Sequence, residues 1–272
     1  MWSSPPRNSA TGSVTPFGSG VGGTISGKWD ALEGNNTTLT AQLPSLLTGL
    51  AYVNGVWEQA PAAFAVTNPA RGDVIANVAD MTRADARRAI EVADKARHEW
   101  AARTGKERAA VMRKWFDLMV ENADDLAAIL TAEMGKPLAE AKGEVLYGAS
   151  FIEWFGEEAK RVYGETIPGH QRDKRITVLK QPIGVATSIT PWNFPNAMIA
   201  RKVGPALAVG CGMVARPAAE TPLSALAMAV LAERAGVPKG VFSVVTSSRS
   251  SDIGKEFCEN PRVRKLTFTG ST

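Results

Sequence analysis

Cysteine is nearly absent from this sequence: only Cys211 and Cys258 occur in 272 residues. The two thiols form no Cys-x-x-Cys pair, which excludes a disulfide framework and points to a reducing compartment, the cytoplasm. Histidine is equally scarce. His98 and His170 lie in different regions without metal-ligand spacing, so no metal site is expected and both are read as structural. No apolar run is long enough to cross a bilayer, so no membrane partner is expected. A strong charge of either sign is missing too. The 31 Lys and Arg against 27 Asp and Glu give a net +4 spread along the chain, which gives no reason to expect nucleic acid. What remains is ordinary globular composition, 44% hydrophobic and 21% charged, at a length for one large domain or two small ones.

The first 48 residues lack what a folded core needs. They are rich in Gly, Ser, Thr and Pro, and their charges (Arg7, Lys28, Asp30 and Glu33) cancel. Such a stretch buries too little apolar surface to offset its ordering entropy, so residues 1–48 are read as a disordered tail or a mis-chosen start. With no basic segment before an apolar core, it is no secretory signal, and with almost no Arg it is a poor transit peptide. Gly18-Ser19-Gly20-Val21-Gly22-Gly23 matches GxGxxG, but no strand precedes it and no helix follows, so the match is read as coincidence.

From residue 49 the pattern is that of a folded domain. Tyr52-Val53-Asn54-Gly55-Val56-Trp57 predicts a tight hairpin, and Phe64–Thr67 and Val74–Val78 predict short strands. Capping boxes at Thr82 with Asp85 and Thr104 with Glu107 open two helices. The first places Ala86, Ile90, Ala93, Arg97 and Trp100 at helical spacing; the second aligns Met112, Phe116, Met119 and Val120 on one face. A third helix carries Leu126, Ile129 and Leu130 and stops at Gly135. A fourth begins near Pro137 and carries Leu138, Ala141, Val145, Ile152 and Phe155. After a strand at Ile176–Leu179, strands and helices alternate: strands at 183–189, 212–215, 241–245 and 263–268, helices at 197–209, 223–235 and 251–258. This alternation predicts an α/β fold, a parallel sheet covered on both faces. Such a sheet binds ligands at the C-terminal ends of its strands, here 190–193, 216–219, 246–247 and 269–271.

Those strand ends carry a resemblance. Ile189-Thr190-Pro191-Trp192-Asn193-Phe194-Pro195, Gly204–Cys211, Arg216–Ala225 and Phe268-Thr269-Gly270-Ser271-Thr272 resemble successive motifs of the aldehyde dehydrogenase family. The likeness runs from about residue 50 to the last residue. Gly135–Ala141, Tyr163–His170 and Ala197–Lys202 are most similar to its succinate-semialdehyde branch. The implied fold is a Rossmann-like, incomplete cofactor domain with N-terminal helices and a β-hairpin. The implied chemistry is oxidation of an aldehyde by NADP or NAD through a cysteine thiohemiacetal, with a glutamate base.

The resemblance assigns roles residue by residue. Asn193 matches the amide that stabilises the oxyanion; read alone, it would be a cap for the helix that begins near Pro195. Arg201 matches the residue that holds a substrate carboxylate, with a solvated helix charge as the plain alternative. Ile189, Thr190, Trp192, Asn193, Arg216, Ala218, Ala219, Gly270 and Ser271 match cofactor-binding positions. Where the family usually has Lys and many members have Glu, this chain has Arg216 and Ala219, two departures that favour NADP, and Ser247 stands where a Gly is common. The family's nucleophile and base lie beyond its Gly-rich turn, so these 272 residues alone are expected to be inactive. Cys211 and Cys258 are both read as small buried hydrophobes and not as replacements. The implied partners are a small aldehyde and, through the hairpin near Ile176, other copies of the chain.

Overall fold

In the computed structural model, which describes residues 46–271, Asn54 and Gly55 join strands β1 (Ala51–Val53) and β2 (Val56–Glu58). Their φ angles of 58° and 69° are both left-handed, as a two-residue turn between right-twisted strands requires. Leu46 is fully buried, so the fold already includes the last residues of the stretch read as tail. The rest of that stretch, with the GxGxxG match, lies outside the described residues.

Strands β3 (Ala63–Thr67) and β4 (Val74–Ala79) form a separate antiparallel pair. Both expected capping boxes close. Thr82 starts helix α1 (Arg83–Ala102), and Thr104 starts α2 (Gly105–Glu121). Helix α3 (Ala123–Met134) ends on Gly135 at φ 84°, and α4 (Leu138–Glu158) follows Pro137. Two positions differ from the sequence reading. On α2 the buried stripe is Arg108, Ala109, Met112, Trp115 and Met119, which turns Val120 outward. Leu138, at the open first turn of α4, is exposed.

Strands β5 (Glu165–Pro168) and β6 (Arg175–Val178) pair as an exposed hairpin. Then come β7 (Val185–Ile189), α5 (Ala197–Ala208), β8 (Gly212–Arg216), α6 (Leu223–Ala235), β9 (Phe242–Val244), α7 (Ser250–Glu259) and β10 (Val263–Phe268). The main sheet has the order β10-β7-β8-β9-β1-β2. Its first four strands are parallel, as expected, while β1 and β2 extend it antiparallel and make it mixed.

From β7 to β9 the chain moves steadily across the sheet, then returns to place β10 on the far side of β7. Right-handed crossovers then put α5 and α6 on one face and α7 on the other. The reversal opens a crevice outside the C-terminal ends of β7 and β10. One core cluster joins the sheet to α1 and α7 through Val185, Val214, Ile90, Ala93, Ile253 and Phe257. The indole N–H groups of Trp100 and Trp115, both fully buried, donate to Leu207 O at 2.9 Å and Met228 O at 3.2 Å. Among the described residues no helix is long and apolar enough to cross a membrane.

Candidate active site

Because β7, β8, β9 and β10 are parallel, their C-terminal ends meet at one edge, and the residues singled out from the sequence gather there. Ile189 ends β7 and Phe268 ends β10; Thr269 N donates to Ile189 O at 3.1 Å, and Thr190 N donates to Arg216 O at 3.3 Å. Thr190 is buried and its hydroxyl has no partner among the described residues. Trp192 and Asn193 are exposed, as are Gly270 and Ser271. Ala218 is buried and Ala219 half-buried.

The loop bearing Asn193 is held from below. Helix α5 begins at Ala197, and Asn196 at its cap position makes no side-chain cap bond. The missing acceptor comes from α4. Glu144 Oε1 accepts from Asn196 N at 3.0 Å and Ala197 N at 3.3 Å. Lys136 pairs with the same carboxylate and donates to Asn193 O at 3.1 Å, with its ammonium 3.8 Å from the centre of the Phe194 ring. Lys136 and Glu144 side chains are 10% and 1% exposed, so the pair is desolvated. Asn193 therefore does not cap the helix. Its backbone is pinned and its amide makes no hydrogen bond among the described residues.

Helix α6 is capped by the same device. Glu133 of α3 accepts from Leu223 N at 2.7 Å and Ser224 N at 2.8 Å. No cation accompanies it, and burial pushes its carboxyl up to about 8 against those hydrogen bonds. The segment leading into α6 carries Arg216, which is 7% exposed. Its Nη2 donates to Ser247 O at 3.1 Å and its Nε has no partner among the described residues. Burial lowers its pKa and nearby Glu220 opposes that shift. Ser247 and Ser248 are tied to Asp80, whose carboxylate accepts from Ser248 N at 2.9 Å.

Arg201 lies on the exposed side of α5. It donates to the Tyr147 hydroxyl at 3.2 Å and sits 4.9 Å from the Phe151 ring centre. The next residue, Lys202, turns inward and donates to Thr269 Oγ1 at 2.6 Å, joining α5 to the end of β10. Burial lowers the Lys202 pKa. Glu133, Lys136, Glu144 and Lys202 were not among the residues picked out from sequence. Each acts on a segment distant in the chain, so no local spacing marks it.

The cysteines stand elsewhere. Cys211 is buried between α5 and β8. Cys258 is exposed, against expectation: Ile253, Glu256 and Phe257 form the inner stripe of α7, and the next residue turns to solvent. It sits at the end of α7 that leads into β10, opposite the crevice. His98 and His170 are exposed as well, so neither has a role in the core.

The aldehyde dehydrogenase family model matches residues 57–272. The chain is 66% identical, over 82% of its length and 46% of the relative, to glutarate-semialdehyde dehydrogenase of Pseudomonas aeruginosa. It is 61% identical, over 82% of its length and 46% of the relative, to the NADP(+) succinate-semialdehyde dehydrogenase of Escherichia coli. A crystal structure of succinate-semialdehyde dehydrogenase from Burkholderia pseudomallei matches with a TM-score of 0.82 at 60% identity, covering 84% of this chain and 48% of that one. The chain thus spans about half the length of the curated relatives it matches.

Proposed function

This chain belongs to the aldehyde dehydrogenase family, and from that premise we propose that it supplies the cofactor crevice and the oxyanion amide for oxidising a short aldehyde with a distal carboxylate. Succinate semialdehyde is the leading substrate, and glutarate semialdehyde is the alternative that the Pseudomonas relative favours. The observation that carries this reading is the Asn193 loop. Glu144 takes over the capping of α5, and Lys136 fixes the Asn193 carbonyl, so the Asn193 amide is left free to donate. A neutral N–H donor held where negative charge develops stabilises the transition state without reorganising.

The strand ends suit a dinucleotide. The Thr190 hydroxyl and Arg216 Nε are buried without partners among the described residues, at the edge where such a sheet opens its crevice. Ribose hydroxyls or phosphate oxygens would give them partners. When bound, NADP or NAD supplies the hydride acceptor. Thr190, Trp192, Ala218, Ala219, Gly270 and Ser271 would line the site, with Arg216 toward the adenosine end and Asn193 toward the reacting carbonyl.

By themselves these residues bind nucleotide and do not turn over aldehyde, because Cys211 is buried and Cys258 lies at the wrong edge. Reduction of NADP by the purified chain with succinate semialdehyde, abolished by Asn193→Ala, overturns that statement. The exposed hairpin β5–β6, with Ile167 and Ile176 outward, supports a homo-oligomer.

Arg201 gives the substrate test. Its guanidinium is held by Tyr147 and Phe151, without a carboxylate partner among the described residues. A chimera joining these residues to the remaining half of the Pseudomonas relative provides the enzyme. There Arg201→Ala should raise KM for succinate semialdehyde about tenfold or more, a lost charge-assisted pair, while leaving KM for a neutral aldehyde nearly unchanged. Equal changes for both aldehydes reject Arg201 as the carboxylate's partner.

A further inference from the structure

A cavity of about 510 Å³ lies at the opposite edge of the sheet from the crevice. Pro182 and Val209, which precede β7 and β8, border it, together with the end of α1, the start of α2 and the segment after α4. Five cations line it, Arg103, Lys106, Arg108, Lys160 and Lys180, and no carboxylate does. Its volume is in the range of small-molecule sites and exceeds what one water or one simple ion fills.

The charge balance inside this cavity is uneven. Arg103 has Glu99 at 3.7 Å and Lys160 has Glu157 at 2.8 Å, both carboxylates on the outer surface. Lys106 and Lys180 have no hydrogen bond or ion pair among the described residues. The nearby carboxylate of Glu107 is turned back into its capping box, accepting from Thr104 N at 2.7 Å and Thr104 Oγ1 at 2.8 Å.

Arg108 is the unusual member. It is only 8% exposed and has no carboxylate within ion-pair distance among the described residues. Its Nε donates to Ala208 O at 2.9 Å, and its Nη1 reaches Ala101 O at 3.4 Å and Arg103 O, whereas Nη2 has no partner among the described residues. Burial lowers the Arg108 pKa against the field of Glu107, and its hydrogen bonds go only to backbone carbonyls, so an anion at Nη2 would add the charge-assisted bond it lacks. The amides of Gly105 and Lys106, in the first turn of the 17-residue α2, are left without intrahelical acceptors at the same place.

We propose that this cavity binds a small polyanion, a molecule carrying two or more phosphate or carboxylate groups, at a site separate from the cofactor crevice. Lys106 and Lys180 meet its charges from the rim and Arg108 Nη2 from the floor.

The test is isothermal titration calorimetry of the 272-residue chain with inorganic pyrophosphate and, separately, citrate. Saturable binding with a Kd on the order of 1 mM or tighter is expected for at least one probe, weakening with salt. The tighter probe identifies phosphate or carboxylate as the preferred group. The double variant Lys106→Glu, Lys180→Glu should weaken binding by about tenfold or more, because both side chains are exposed and their reversal leaves the fold intact. If that variant folds poorly, Lys106→Gln with Lys180→Gln makes the same comparison. Arg216→Ala, at the cofactor edge, should leave polyanion binding unchanged. Absence of saturable binding, equal binding by the neutralised variant, or loss confined to Arg216→Ala each overturns the proposal.

Discussion

Helices α5 and α6 begin in the same way, yet the two beginnings are electrostatically different. Each follows a parallel strand, each lacks a side-chain cap of its own, and each has two backbone N–H groups bound by a buried glutamate from the helical layer. At α5 the glutamate is Glu144, and Lys136 neutralises it. At α6 it is Glu133, which has no cation and whose carboxyl burial raises to about 8. The difference follows what each start carries. The α5 loop bears the Asn193 amide and is clamped through Lys136 at both glutamate and Asn193 carbonyl. The α6 segment follows Arg216, and what its glutamate holds is a backbone turn.

Neutralising each glutamate separates the two devices. Glu144→Gln leaves the Lys136 ammonium desolvated and uncompensated, and should cost about 3–5 kcal/mol in urea unfolding. Near pH 4.5, where folded Glu133 is protonated, Glu133→Gln leaves no buried cation behind and should cost about 1 kcal/mol, the price of one weakened hydrogen bond. Equal losses would show that the cation at α5 is incidental.

The second break point is functional. In the chimeric enzyme, Asn193→Ala should lower kcat about 10²–10³-fold, or roughly 3–4 kcal/mol, with little change in KM. Glu133→Gln should leave kcat within about twofold, since it does not touch the Asn193 loop. Matching kcat losses would mean that the two helix starts act as one unit.

The pH dependence of stability sharpens the contrast further. Glu133 holds its proton more tightly folded than unfolded, so its contribution is fully present below the ordinary value of 4.5 and is lost as pH rises toward about 8. Glu256 works in the opposite sense. Hydrogen bonds from Arg87, at 2.8 and 2.9 Å, head the interactions that hold its pKa at about 2. Its contribution is present above 4.5 and is lost as pH falls toward about 2. Thermal melts from acid to neutral pH should therefore decline on both sides of a maximum. Glu133→Gln should flatten the alkaline side by on the order of 2 kcal/mol and leave the acid side alone. An unchanged alkaline slope would place the titrating group elsewhere.

Much of this architecture is legible in the sequence because its causes are local. Thr82 and Thr104 box their own helices, Gly135 and Gly236 adopt left-handed caps, and Asn54-Gly55 closes its own turn. The strand-end loops were legible through motif and topology together, which is why Thr190, Asn193 and Arg216 fall at one edge. What stayed hidden is long-range. Glu133 lies 90 residues from Leu223, and Glu144 lies 52 from Asn196, so no window contains both partners. The joining of β1 to β9 is equally distant, and it turned a sheet expected to be parallel into a mixed one. Cys258 was misplaced for a smaller reason: one step along a helix turns a side chain by about 100°, enough to move it from core to solvent.

The smallest effect concerns the α6 start itself. NADP differs from NAD by a phosphate on the adenosine ribose, so in the proposed site the choice would depend on charge and space along Arg216–Glu220. Ala219 offers neither a carboxylate to bind free ribose hydroxyls nor a charge to repel phosphate. Arg216 supplies a permanent cation whose Nε lacks a partner, although its Nη2 is already committed to Ser247 O. That commitment limits the guanidinium to part of its donor set, so the expected preference for NADP is modest, about tenfold in kcat/KM. Glu220 is exposed and one residue away, and swinging it inward is the competing arrangement that would keep NAD preferred. Ala219→Glu in the chimera distinguishes them. If the site is open as described, the new carboxylate should shift the NADP to NAD ratio toward NAD by about tenfold, roughly 1.4 kcal/mol. If Glu220 already occupies that place, the ratio starts in favour of NAD and the substitution moves it little. Kinetics with both cofactors, before and after the change, decide between a phosphate-accepting α6 start and a carboxylate-guarded one.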